Sequence, residues 1–598
     1  MPLSRSPHPL RLAIRAAILS GLALLVTLLV TLPGAVPGTV PGARAGTTAP
    51  AGAAPIGADT NYLDGSYALA AGDPGIAARY FARALATRPS DPLLLHRAFA
   101  TALMAGQPDA ARFARRLQDD DAANLLLAAE AAQAGHWDAA QRHIGALPQD
   151  GQAGLLRPVL RAWAAQGAGQ TDAALAALAP RIAGPHAPGF YLLQAGLIAD
   201  LAGRDSTAAG LFARARAALG PGDLRTTLIF ASFDARHGRQ AAALQRLDQL
   251  GQAAPEFAIA LPGLVARLRD RPVATASDGV AEAFLGLGAT LQAADRPDSA
   301  LLMLRLALIA RPDFSAARLL AAELLGDQHK NADALALLQG IAADDPLGPV
   351  ADLQIAELRR RQGDPAAGLL VLGRLEHLFP HSPLPFGEAG DILRATHHPK
   401  EAVQAYTQAL ANAAPLGPRD WVLLYNRGIA YDDAHDWPRA VADFHHALTL
   451  LPNQPLVLNY LGYSWADRNQ NLPQAQRMIE TAARLRPDSA AIADSLAWVL
   501  YRRHDIAHAV AVAQHAAELA PEDATINYHL GAVYWAAGRH LEARYQWQRA
   551  LTLAPDAPLA AKLRGLLRTG GPGEGRLGAA RLGTTAASAR PIPTAKLR

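Results

Sequence analysis

Residues 526–555 read INYHLGAVYWAAGRHLEARYQWQRALTLAP. The spacing of small and large side chains in this stretch indicates how two helices pack together. Gly531 and Ala543 are small enough to let two packed helices approach closely, and Trp547 is large enough to fill the gap to a neighbouring pair of helices. Pro555 closes the stretch, since proline cannot continue a helix. The pattern predicts a helical hairpin.

The same pattern recurs three times before this unit, at a period of 34 or 35 residues. The small residue of the first helix is found at Gly428, Gly462, Ala497 and Gly531. The position of Trp547 in the second helix is held in the earlier units by Phe444, Ile479 and Ala513. Proline closes the units at Pro452, Pro487, Pro521 and Pro555. Four consecutive units in one register predict a repeat array in which each hairpin packs on its neighbours.

This pattern resembles the tetratricopeptide repeat (TPR), whose signature combines Leu-Gly-x-x-Tyr, Ala-x-x-x-Phe and a terminal proline. The resemblance implies an all-α fold, an α–α superhelix in which helical hairpins stack into a solenoid. Weaker copies of the signature run backward along the chain, so we expect about fourteen hairpins between residues 58 and 568. Residues 559–568 are expected to form the capping helix that an open repeat array needs.

Pro262 and Pro272 interrupt the repeat register and divide the array in the sequence. A fragment spanning 281–568 is therefore expected to fold alone. The predicted segments are 1–32, a signal peptide or membrane anchor; 33–57, a Pro/Gly/Ala-rich linker; 58–256, a degenerate TPR-like solenoid; 257–280, a break or linker; 281–568, a C-terminal TPR solenoid with its capping helix; and 569–598, a disordered basic tail.

The N-terminal segment is expected to act as an export signal. Arg5, Arg11 and Arg15 precede an uninterrupted apolar run over 16–32, a charge asymmetry that predicts a cytoplasmic N-terminus. The rest of the chain would then be periplasmic. Two alternatives stay open: secretion after cleavage near Ala43-Arg44-Ala45, or an uncleaved anchor in the inner membrane.

Composition excludes several classes of function. The chain contains no cysteine, so zinc–thiolate sites, disulfides and cysteine nucleophiles are absent. The net charge of +4 belongs to the two ends, because residues 1–57 carry +4 and residues 558–598 carry +7, which leaves −7 on the body. An acidic body does not favour nucleic acid as a partner.

No motif predicts catalysis, a cofactor or a metal site. His504 and His508 could share a helix face, but no third ligand accompanies them. These and the other late histidines, His529 among them, are expected on solvated helix surfaces. Asp432 and Asp433 are expected in an exposed turn. The sequence therefore predicts a protein that is not an enzyme.

The resemblance points to a protein-binding groove instead. In the TPR family the concave surface is lined by the second, fifth, ninth and twelfth positions of each first helix. Aromatic and amide side chains at such positions suit an extended peptide or a partner helix. The alternative is that several of the rings pack between hairpins. The candidates are Tyr425, Asn459, Tyr463, Asp494, Trp498, Tyr501, Tyr528 and Trp535.

The segment Leu458–Arg503 is similar to the C-terminal repeats of proteobacterial envelope TPR proteins. These include adaptor lipoproteins that deliver substrates to C-terminal-processing proteases. The resemblance, close over 456–555, implies a non-enzymatic scaffold or adaptor whose partners are other proteins, such as a periplasmic protease or an envelope-assembly complex. Without a cysteine, this chain cannot carry such a lipid anchor. Open alternatives are a component of an exopolysaccharide or outer-membrane assembly and export system, and a TPR-containing enzyme such as a glycosyltransferase.

Overall fold

The structure, a computed structural model, describes residues 57–571 except positions 118 and 221. The predicted signal or anchor helix lies outside the described residues, as does the tail beyond residue 571. Among the described residues there are thirty α-helices and no β-strand.

The helices are, in chain order, α1 (Ala58–Ala70), α2 (Pro74–Thr87), α3 (Pro92–Ala105), α4 (Asp109–Ala114), α5 (Asp121–Gln133), α6 (Trp137–Ala146), α7 (Gly151–Gly167), α8 (Thr171–Ile182), α9 (Gly189–Leu201), α10 (Asp205–Leu219), α11 (Leu224–Arg236), α12 (Gln240–Ala253), α13 (Leu261–Ala266), α14 (Ala276–Ala293), α15 (Pro297–Ala310), α16 (Ser315–Asp327), α17 (Asn331–Leu338), α18 (Gly348–Arg361), α19 (Pro365–Leu378), α20 (Pro383–Ala395), α21 (Pro399–Ala413), α22 (Trp421–Asp433), α23 (Trp437–Leu450), α24 (Pro455–Asp467), α25 (Leu472–Leu485), α26 (Ala490–Arg502), α27 (Ile506–Leu519), α28 (Ala524–Ala536), α29 (His540–Thr552) and α30 (Ala557–Thr569).

The helices pair in sequence as fourteen hairpins, as the repeat pattern predicts. Outside the pairs lie α13, which follows a short 3-10 helix over Pro255–Ala260, and the capping helix α30. Many helices begin at an aspartate whose side chain accepts hydrogen bonds from the first turn. Asp523, for example, accepts from the main-chain N–H of Thr525 at 2.8 Å and of Ile526 at 3.0 Å.

The small–large pairing is confirmed in hairpins α28–α29 and α22–α23. A Cβ atom built on Gly531 would lie 2.4 Å from Nε1 of Trp547, which is far inside van der Waals contact. The same holds for Gly428 against Phe444, at 2.6 Å. The first helix therefore needs a residue without a side chain where the large residue of the second helix presses on it.

Contacts divide the chain into two compact units, which meet between Ala351 and Asp352. We call the described residues up to 351 the N-terminal unit and residues 352–571 the C-terminal unit. The predicted break at 257–280 contains the end of the 3-10 helix, α13 and the start of α14. It interrupts the repeat register, but it does not separate the units, because the following hairpin, α14–α15, packs inside the N-terminal unit.

This hairpin fills the N-terminal unit's own groove. Helix α14 contacts α5, α7 and α9, and α15 contacts α3 and α5, all of them first helices of earlier hairpins. Along α14, Gly279 sits against the fully buried Trp163, and a Cβ atom at Gly279 would lie 2.3 Å from the indole ring. The first helices that the family resemblance assigns to a partner-binding surface are here covered by residues 276–310 of the same chain.

A buried ion pair holds this arrangement. Glu282 of α14 has only 4% of its side chain exposed, and it contacts the guanidinium of Arg225 from α11, which is 16% exposed. Arg225 Nη2 also donates to the main-chain oxygen of Pro272 at 2.8 Å. Its guanidinium lies over the ring of Phe314, 5.0 Å from the centroid. The pair ties the central hairpin to the surrounding array.

The packing of α14 and α15 changes the expected fragment boundary. We expect a fragment spanning 348–571, which starts at α18, to fold alone with a cooperative loss of helical circular dichroism on heating. A fragment spanning 281–571 would carry a truncated α14 and α15 without the helices that cover them, and it is expected to aggregate in size-exclusion chromatography. An unfolded 348–571 fragment would contradict this division.

The expected exposed turn at Asp432 and Asp433 is wrong for Asp432. This carboxylate lies at the end of α22, is only 4% exposed and pairs with Arg468. The hydroxyl of Tyr460 donates to its Oδ2 at 3.3 Å. The sequence around Asp432 does not indicate that an arginine 36 residues later will pair with its carboxylate.

Within the described residues, no helix has the length and apolarity to cross a membrane.

Candidate protein-binding groove

Three neighbouring first helices form the candidate groove in the C-terminal unit. Helix α24 packs beside α26, and α26 packs beside α28. Gly462 in α24 and Gly531 in α28 bring each first helix close to its own second helix. Because one side of each first helix packs on its second helix, the candidate groove lies on the opposite side of α24, α26 and α28.

The predicted groove residues fall into two sets of four. Asn459, Tyr463, Tyr501 and Trp535 are half-buried. Tyr425, Asp494, Trp498 and Tyr528 are buried, with between 0% and 4% of their surface exposed. The groove interpretation stays a prediction for the first set, and the second set is packed in the interior.

Tyr425 belongs to the packing between hairpins. Its ring lies 5.9 Å from that of Tyr460 in an edge-on arrangement and 6.0 Å from that of Phe444. Burial raises the pKa of its hydroxyl, against the opposing effect of Arg394. Its role is to join hairpin α22–α23 to the next one, so the groove proper begins at α24.

Four rings form a column across α24, α26 and α28. Tyr501 stacks on Trp498, with ring centroids 5.0 Å apart, and Trp498 stacks on His529 at 4.3 Å. The ring of Tyr463 is tilted against that of His529, with the ring centroids 6.3 Å apart. We call these four residues the aromatic column. Its two ends, Tyr463 and Tyr501, are half-buried, while its centre is closed to solvent.

The histidine in this column corrects a sequence expectation. His529 is fully buried rather than solvated, and its Nδ1 lies 2.7 Å from Oδ2 of Asp494. His508, by contrast, is exposed as expected. One signal could have shown the difference: α28 is apolar around most of its circumference, and every residue from Ile526 to Tyr534 is buried.

Six polar side-chain atoms of α24, α26 and α28 are shut off from solvent and have no hydrogen-bond partner within the described part of the chain. An unpaired buried polar group costs about 1–3 kcal/mol. The six lie on three successive first helices, which is the concentration a ligand site would show. They are Asn459 Oδ1, Asp494 Oδ1, Trp498 Nε1, Arg502 Nε, Tyr528 OH and His529 Nε2.

Two positively charged side chains near the candidate groove, Arg502 and Lys562, were not predicted from the sequence. Arg502 Nη2 donates to the main-chain oxygen of Asp467 at 3.3 Å. Lys562, from the capping helix α30, places its Nζ 4.6 Å from the ring centroid of Tyr528. Burial lowers the pKa of Lys562 and raises that of the Tyr528 hydroxyl, so the hydroxyl stays protonated at neutral pH and can donate.

Trp535 lies where the groove ends. Its ring stacks on His540 at 4.1 Å and on Trp547 at 5.6 Å. The chain leaving the capping helix passes over the same ring, since a Cβ atom at Gly571 would lie 2.1 Å from it.

Among the described residues, no group of three or more histidine and carboxylate side chains could hold a metal ion.

Paired helices in a fixed register, with a polar and aromatic face on successive first helices, define a helical-repeat solenoid. No protein-family model matches the chain. The TPR repeat-containing protein PA4667 of Pseudomonas aeruginosa is 32% identical over 124 residues, which is 21% of this chain and 21% of that protein. The match therefore spans about a fifth of the relative's length. Together with the repeat signature and the hairpins, this match shows that the chain is similar to tetratricopeptide-repeat proteins.

Two solved structures are similar at low identity. The Cut9–Hcn1 hetero-tetramer of the APC/C has a chain 14% identical to this one, covering 86% of this chain and 96% of its own length, with a TM-score of 0.37. A tetratricopeptide repeat protein from Parabacteroides merdae ATCC 43184 is 15% identical, covering 43% of this chain and 98% of its own length, with a TM-score of 0.35.

Proposed function

We propose that the chain is a non-enzymatic scaffold that holds partner proteins in the groove of α24, α26 and α28. One observation carries the proposal: six buried polar atoms without partners concentrate on these three helices, beside a column of aromatic rings. In the N-terminal unit the equivalent surface is covered by hairpin α14–α15. We therefore place the partner on the C-terminal unit.

The proposed place of action is the periplasm, with partners such as a periplasmic protease or an envelope-assembly complex. Arg5, Arg11 and Arg15 before the apolar run support export. The similarity of 456–555 to envelope TPR proteins supports the adaptor role, and these residues supply most of the proposed groove.

A reporter fusion tests the location. Alkaline phosphatase, which is active only after export, is fused after residue 570. We expect it to be active in intact cells, because the positive charges before the apolar run retain the N-terminus in the cytoplasm. A fluorescent reporter that requires the cytoplasm is expected to be dark at the same position. The opposite pair of results would overturn the periplasmic placement.

The groove is tested by removing a ring from the half-buried end of the aromatic column. Tyr501→Ala is expected to weaken capture of partners from envelope extracts by roughly thirtyfold, as loss of about 2 kcal/mol at a binding hot spot does. Tyr545→Ala is the matched control, because this ring is 67% exposed on the second helix α29, outside the groove. Equal capture by wild type and both variants would count against the groove.

A further inference from the structure

The last two helices, α29 and α30, carry positive charge that nearby carboxylates do not neutralise. Residues 539–571 contain six lysines and arginines against two acidic residues, Glu542 and Asp556. Glu542 pairs with Arg539, whose Nη2 lies 2.6 Å from its Oε1. Asp556 accepts a hydrogen bond from the first turn of α30 at 2.8 Å. The arginines left without a carboxylate partner within the described part of the chain are Arg544, Arg564 and Arg568.

Two of these arginines line a cavity between α29 and α30. The cavity has a volume of about 500 Å³, and its lining combines Arg564 and Arg568 with three apolar side chains, those of Leu551, Ala561 and Leu567. The third arginine lies near the end of α30, since Arg544 Nη1 is 3.9 Å from the position that a Cβ atom on Gly570 would take. Apolar surface and unpaired positive charge therefore occur together where the two helices meet.

Two large apolar side chains are exposed on α29 beside this charge. Leu541 is 68% exposed and Tyr545 is 67% exposed. They are one helical turn apart and share their face of α29 with Arg544, which is exposed as well. Single exposed apolar residues are common. Leucine and tyrosine beside basic residues are instead typical of a helix that lies at a membrane surface, where the apolar side chains enter the headgroup region and the basic ones attract anionic lipids.

We propose that α29 and α30 dock on the surface of an anionic lipid bilayer, with the three arginines binding headgroup phosphates and the two exposed apolar side chains entering the headgroup region. The charge of the sequence supports this partner, because residues 558–598 carry +7 and residues 58–557 carry −7. An anionic bilayer attracts this end of the chain and repels the rest. A nucleic acid would attract the same arginines, but it offers no apolar layer for Leu541. This inference is separate from the proposed scaffold function.

The absence of cysteine from the sequence allows a local test in the full-length chain. Gln548→Cys places a thiol on the exposed side of α29, and Gln474→Cys places one at an exposed position of α25 as the control. Each is labelled with a dye whose emission shifts to the blue in apolar surroundings. We expect a blue shift at position 548 with phosphatidylglycerol vesicles, none with phosphatidylcholine vesicles, and none at position 474 with either. Because the dye reports its own surroundings, insertion of the apolar run over 16–32 does not produce this pattern.

Matched arginine pairs test the charge. Arg564→Gln with Arg568→Gln is expected to raise the phosphatidylglycerol concentration that gives half of the blue shift by about thirtyfold, since each arginine near an anionic surface contributes roughly fivefold. Arg477→Gln with Arg484→Gln removes the same net charge from exposed positions of α25. This control pair is expected to leave the titration unchanged within about twofold. Equal weakening by both pairs would mean that only the net charge matters, and it would overturn the docking surface.

Matched leucines test the apolar contribution. Leu541→Gln is expected to weaken vesicle binding about tenfold, because a leucine side chain no longer enters the headgroup region. Leu370→Gln is the control, since this leucine is 74% exposed on α19, and it is expected to have no effect. Both positions are on the surface, so circular dichroism should show unchanged melting of both variants.

Three further results would overturn the inference. A blue shift of equal size with phosphatidylcholine would exclude recognition of anionic lipid. Displacement of the vesicles by duplex DNA, with Leu541→Gln as tightly bound as wild type, would show that the surface attracts polyanions in general. A dimer that light scattering detects without lipid, and that Arg564→Gln with Arg568→Gln dissociates, would assign the surface to the acidic body of a second copy.

Discussion

Replacing Glu282 by leucine is expected to lower the free energy of unfolding of the N-terminal unit by about 3–5 kcal/mol, the cost of breaking a buried ion pair from one side. The change leaves the guanidinium of Arg225, 16% exposed, without its carboxylate. The remaining neighbours of Arg225 include the Pro272 carbonyl and the Phe314 ring, and neither carries a compensating charge. Differential scanning calorimetry should show the transition of this unit roughly 6–10 °C lower.

The double variant Arg225→Met with Glu282→Leu is the control. Replacing both charges by apolar groups of similar volume is often neutral or stabilising, so most of the lost stability should return. Recovery of stability in the double variant would show that the single variant is destabilised by the unpaired charge of Arg225 and not by the shape of leucine. A single variant as stable as wild type would mean that the pair does not hold α14 in place.

The repeats of the C-terminal unit could be predicted from sequence because their packing is local. Gly531 and Trp547 meet within one hairpin, so their spacing along the chain directly encodes a contact. The filling of the N-terminal groove could not be predicted in this way. Gly279 meets Trp163 across more than a hundred residues, and the repeat signature describes only neighbouring hairpins. Nothing in that signature indicates that the array folds around α14.

In the candidate site, the repeat position predicts the helix face on which a side chain lies, but it does not predict how deeply that side chain is buried. The repeat position predicts a groove face, and hence Tyr463, Trp498 and Tyr528 as its candidate residues. Position alone does not give depth, because a ring on that face can point outward or lie against the next hairpin, as Tyr425 does. His529 and Lys562 were missed for a related reason. One lies between the family's groove positions, and the other comes from the capping helix.

Trp498→Ala is expected to destabilise the C-terminal unit by about 3–5 kcal/mol, the usual cost of truncating a buried tryptophan. The ring is 2% exposed and stacks on His529 and Tyr501, so its loss opens a cavity at the centre of the aromatic column. A melting temperature roughly 10 °C lower is expected for a unit of this size. Trp535→Ala should cost less, because that ring is only half-buried.

Partner capture by Trp498→Ala therefore has to be measured well below its own melting temperature, where circular dichroism shows the unit folded. Under those conditions we expect capture to remain at least tenfold weaker than wild type, since the cavity releases the column and removes the buried Trp498 Nε1, which has no hydrogen-bond partner among the described residues. Trp498→Phe separates the two effects, because it keeps much of the stacking and removes the donor. Binding by both variants at wild-type strength would show that the column is core packing alone and that partners dock elsewhere on the chain.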